Sequence, residues 1–182
     1  MNRIIKAFVV VFAFALSFVS SSCDEFNSFP INIPFSIPIN ISGSSTSSTA
    51  SSTYCLTQSE TYQDYVDDIE SLTFIQAAWR TTSVSGITSA TIKITVSIVG
   101  GATLFQVTLS NINPTSYQSP NGPFVLSLNQ TQIQALTDYF NQYLNNSNQC
   151  LQATVEATVN TGNAPYNLQG VIDMVVEAET KM

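Results

Sequence analysis

Three cysteines, Cys23, Cys55 and Cys150, carry the most reactive side chains in this sequence. The chain has no histidine, which excludes His-based triads and His metal sites. Acidic residues concentrate in one run, Glu60, Asp64, Asp67, Asp68 and Glu70. Calcium needs several oxygens converging at about 2.3–2.6 Å. Asp64, Asp67 and Asp68 are a weak candidate set, because helical spacing spreads them and no Asp-x-Asp-x-Asp-Gly loop is present. A carboxylate pair in a cleft would also serve glycoside hydrolysis. The lone Trp79 stands beside Arg80, a pairing that suits either a cation–aromatic spot or a core Trp at a strand end. Tyr117 and Asn121 lie in the segment NPTSYQSPNG, and Asn163 and Tyr166 in NTGNAPYN. Both segments read as loops, where binding residues concentrate, and aromatic and amide groups together suit a sugar. No cofactor motif is present.

The elements that must position these residues alternate with period two. Phe29, Ile31, Ile33, Phe35, Ile37, Ile39 and Ile41 occupy every odd position, with Pro, Asn or Ser between them. That spacing predicts a strand with one buried face. Pro30, Pro34 and Pro38 are all even, so their missing N–H groups fall on one lateral side, facing an unpaired sheet edge. The Ser/Thr-rich stretch 43–53 reads as a polar loop. Thr57 to Glu60 fits a capping box, and Tyr62, Tyr65, Val66 and Ile69 follow at helical spacing.

Further strands are expected over about 71–80 and 88–99, with Gly100-Gly101 as a hairpin turn into Phe105, Val107 and Leu109. Phe124 to Leu128 gives a short strand. Asn129 caps a second helix with Gln132 at the reciprocal position, and Ile133, Leu136, Phe140, Tyr143 and Leu144 form its apolar stripe. Two more strands run over about 151–159 and 168–178, with a turn between them. About seven strands with one dry and one wet face are the pattern of packed antiparallel sheets. The expected fold is mainly β: an antiparallel β-sandwich of about seven strands with two short amphipathic helices, one domain over 29–182.

Composition narrows the function. Of the 182 residues, 9% are charged and 44% hydrophobic. After position 22, three cations face twelve acids, a net charge of −9. No basic surface for nucleic acid is available.

The N-terminus reads as an address. Arg3 and Lys6 precede an apolar run, Ala7 to Val19, too short for the roughly 20 residues of a membrane span. Ser20-Ser21-Ser22 then leads into Cys23. Here the sequence resembles bacterial lipoproteins, in a relaxed form with Ser at position 20. The resemblance covers 1–23 and implies a signal peptide over 1–22, a lipidated Cys23 and a tether over 23–28. Anchoring of this kind gains about 0.8 kcal/mol per buried methylene. Lipidation of Cys23 leaves Cys55 and Cys150 as an even pair, and an oxidising compartment favours a structural disulfide between them.

Asp24 and Glu25 resemble an inner-membrane retention signal in one bacterial group and a surface-export signal in others. The relaxed lipobox points to the outer membrane or cell surface. The expected role is non-enzymatic: binding, adhesion or structural support, with a glycan or an envelope protein as partner. The alternative is a carboxylate-based glycoside hydrolase or a carbohydrate-binding module at the surface.

Overall fold

Six strands form one antiparallel sheet, and three of its members are long enough to bend. The computed structural model describes residues 28–146 and 149–181. β1 is Ser28–Gly43, β2 Ser47–Tyr54, β3 Ile69–Ile98, β4 Thr103–Ile112, β5 Phe124–Val125 and β6 Leu151–Lys181. Two helices, α1 (Glu60–Tyr65) and α2 (Gln130–Asn145), complete the fold. The main sheet order is β1-β6-β3-β4; β2 pairs with β6 and β5 with β3.

The expected pairs of strands at 71–80 and 88–99, and at 151–159 and 168–178, are continuous strands of 30 and 31 residues. Each runs through both layers of the sandwich. β1 pairs with the second half of β6, Ser28 with Lys181 through Gly43 with Tyr166. β2 pairs with the first half, Ser47 with Thr158 through Tyr54 with Leu151. The chain from Phe35 to Tyr54 would span roughly 60 Å if it ran straight at about 3.3 Å per residue. Instead the two rings stack with centroids 4.9 Å apart. The sheet is therefore doubled over, with β1 in one layer and β2 in the other.

The fold line is written in small residues and bulges. Ser85 pairs with Asn167 and Ile87 with Gly162, so Asn163 to Tyr166 of β6 form a bulge with no partners in β3. The bulge switches the buried positions of β6 from odd in 151–157 to even in 166–180. Opposite it, Gly86 has φ +74°, and a β-carbon there would stand 2.6 Å from the Asn163 carbonyl oxygen. Only glycine fits that crossing.

Alternation works as expected over most of β1, where Ile33, Phe35, Ile37, Ile39 and Ile41 are buried; at its start Phe29 is exposed and Ile31 half-buried. The stretch read as a loop is partly a strand: Ser47–Tyr54 pairs along its whole length with β6. Its threonines tolerate extended backbone, and Ser51 hydrogen-bonds Thr154 across the ladder at 2.8 Å. With no large apolar residue before Tyr54, the segment offered no alternation to read.

α1 is shorter than its stripe suggested. Its cap is Ser59, which accepts from the Tyr62 N–H, rather than Thr57. Tyr62 is buried, Tyr65 and Val66 are exposed, and Ile69 already belongs to β3. α2 begins at its expected capping box, Asn129 with Gln132, and buries Leu136, Tyr139, Phe140 and Tyr143.

Phe35, Tyr54, Tyr62, Tyr139, Phe140 and Tyr143 join in one chain of stacked and edge-on rings. Beside this cluster, Cys55 and Cys150 form a disulfide across a separation of 95 residues. In the chain-entropy account, closing so long a loop stabilises the fold by about 4–5 kcal/mol.

Candidate functional site

The three-dimensional arrangement divides the residues singled out by the sequence. Tyr117 and Asn121 lie together but are engaged within their own loop. The Tyr117 ring meets Phe124 edge-on at 5.1 Å, and the Asn121 side-chain amide donates to the Thr115 carbonyl at 3.3 Å. Asn163 is exposed on the bulge of β6. Tyr166, expected on the loop surface, is a core residue at 4% exposure. It is drawn inward because the bulge returns β6 to its even-inside phase at that position. These four residues do not make one aromatic–amide site.

Trp79 and Arg80 also separate. Trp79 is fully buried, its ring N–H donating to Thr81 Oγ1 at 3.2 Å. Strand alternation turns Arg80 to the opposite face, where Nε and Nη2 donate to Asp173 at 2.8 and 3.0 Å. Ser36 adds a hydrogen bond to the same carboxylate at 2.5 Å. The hydrogen bonds that Arg80 donates to Asp173 hold its guanidinium above its ordinary pKa. The set ties β1, β6 and β3 together on the outer face. No local pattern in the sequence signals it, since Asp173 lies 93 positions from Arg80.

Asp64 sits exposed on α1, and Asp67 and Asp68 in the turn after it. Among the described residues no three metal-ligating side chains converge. Glu70 pairs instead with Lys181 at 3.3 Å. Cys23 and the whole segment 1–27 lie outside the described residues.

Three concavities stand out. One, about 440 Å³, lies on α2 at Gln130, Thr131, Gln134, Ala135 and Asp138. Another of about 440 Å³ is lined by Pro38, Ile39 and Asn40 of β1, Ala50, Ser51 and Ser52 of β2, Thr82, and Gln169 to Val171 of β6. Its polar groups are hydroxyls and amides with no charge among them, a lining suited to neutral hydrogen-bonding partners. The third, about 230 Å³, lies at the fold line between Ser44–Thr46 and the bulge, with Asn160 and Tyr166 in its wall. The Tyr166 hydroxyl is buried and has no hydrogen-bond partner among the described residues.

No protein-family model matches the sequence, and no curated protein matches it. Among solved structures the chain is similar to one described as desmodium yellow mottle tymovirus. The TM-score is 0.42 at 13% identity, over 85% of this chain and 89% of that one.

Proposed function

We propose that this is a lipid-anchored cell-envelope protein with a non-enzymatic binding, adhesion or structural role, held to the membrane through Cys23. The observation that carries the reading is cysteine bookkeeping. Cys55 and Cys150 are joined, which leaves Cys23 as the odd cysteine, directly after a charged, apolar and small-residue segment that resembles a lipoprotein signal. A disulfide between distant strands and helices also suits an oxidising compartment.

On this reading the body stands close to the bilayer, because β1 starts at Ser28, five positions after the anchor. An acidic body that presents uncharged hydroxyl and amide groups in the concavity between β1, β2 and β6 favours a neutral glycan or another envelope protein as partner. Metabolic labelling with a fatty acid, together with membrane fractionation of the Cys23→Ser variant, tests the anchor. The expected result is label on the wild-type chain, and a variant that loses both the label and its membrane association. An unlabelled wild-type chain free in the soluble fraction would remove the proposal's basis.

A further inference from the structure

The sheet's edges are treated unequally. β1 carries Pro30, Pro34 and Pro38 along its outer side, and proline cannot donate to an added strand. The start of β3 is covered by α2. There the Asn141 side chain accepts from the Leu72 N–H and donates to the Leu72 carbonyl, and Thr137 accepts from the Phe74 N–H. β5 covers Ala78 and Trp79 of β3. β4 has Gln132 of α2 on its Gln106 carbonyl.

β2 has none of these devices. Among the described residues it pairs only with β6, and it contains no proline, glycine or charge. The Thr46 carbonyl accepts from the Val159 N–H. Even positions of β2 therefore turn their backbone groups to β6, and Ser47, Thr49, Ser51 and Thr53 turn theirs outward. All four residues are exposed. Of their outward groups, the Ser47 carbonyl accepts from the Ser45 hydroxyl.

We infer that β2 is the docking edge for β2 of a second copy of this chain, paired antiparallel about a two-fold axis at Ala50. In that register Thr49 of each copy meets Ser51 of the other, and Ser47 meets Thr53. Every outward position of the strand gains a partner, and the four Ser/Thr side chains form hydroxyl pairs on one face. The pattern is self-complementary, as an isologous interface requires. Electrostatics selects the same place. The chain carries −7 overall, yet β2 itself holds no charge, and Glu156, opposite Thr49 on β6, is paired with Lys93 at 4.0 Å, so two acidic copies approach here with little repulsion.

Sedimentation of the full chain in density-matched detergent, over a range of concentrations, tests the inference with two variants. Ser51→Pro removes an outward N–H and leaves the backbone hydrogen bonds to β6 in place, at the loss of the Ser51–Thr154 hydroxyl contact. Ser51→Lys sets two like charges beside the axis. The expected result is a wild-type dimer that dissociates on dilution, with at least one folded variant, judged by circular dichroism, weakened tenfold or more. A wild-type chain that stays monomeric at every concentration overturns the inference. So does a dimer that both folded variants retain unchanged, or a β2 edge that pairs only with a strand of another protein.

Discussion

Gly170 offers a sharp test of how the first layer is packed. It lies opposite Thr81 in the β3–β6 ladder, and a β-carbon there would stand 2.3 and 2.4 Å from Trp79 Cζ2 and Cη2. The Arg80 carbonyl oxygen, at 3.0 Å, closes the other side. The indole has little room to yield, because it is fully buried and its N–H is bonded to Thr81. Overpacking of a well-filled core costs about 1–3 kcal/mol, and a fixed ring puts Gly170→Ala in the upper part of that range. For a chain of this size, about 2–3 kcal/mol lowers the melting temperature by roughly 4–12 °C. Trp79→Phe removes the six-membered ring that the new methyl would strike. In that background the added methyl should be tolerated, and the double-mutant cycle should return a coupling above about 1 kcal/mol. Circular dichroism melts of the four proteins supply the measurement. If the two effects add to within about 0.5 kcal/mol, the claimed contact does not limit the packing and the reasoning fails.

Replacing Cys55 and Cys150 together by Ala should cost about 4–5 kcal/mol, read as a lower urea midpoint; a loss below about 1 kcal/mol would contradict the long-loop account. Asn141→Ala should cost about 1–3 kcal/mol by leaving the Leu72 amide and carbonyl unpaired. It should also raise aggregation by baring the β3 edge, which light scattering during refolding would detect. Burial pushes the Tyr54, Tyr62 and Tyr139 hydroxyls above their ordinary value. Stability from these groups is complete below the ordinary tyrosine value of about 10 and is lost as pH rises through their raised folded values. Denaturant titrations at alkaline pH should therefore show falling stability, and Tyr139→Phe should flatten the fall. An unchanged slope would remove Tyr139 from the explanation.

Period-two alternation exposed β1 in the sequence because its inner face is made of large residues and its prolines share one parity. The α2 cap was equally readable, since Asn129 and Gln132 are local partners. β2 was not, because a strand at an exposed edge can be built from Ser and Thr, and nothing in such a run distinguishes it from a loop. The continuity of β3 and β6 was hidden by their bulges, which interrupt the alternation just where each strand crosses from one layer to the other. The Arg80–Asp173–Ser36 contact depends on three strands meeting, so no local pattern could announce it. Gly162 and Pro165 are turn residues and predict Tyr166 on a surface loop; in the folded chain they serve a bulge that returns the tyrosine to the core.

The anchor at Cys23 is the point on which the cellular role turns. Intact-mass analysis of the mature protein isolated from its native envelope addresses it directly. The account predicts a chain beginning at Cys23 and heavier than its amino acids by the attached acyl groups. A mature chain that retains Met1, or begins elsewhere with no added lipid mass, would contradict it.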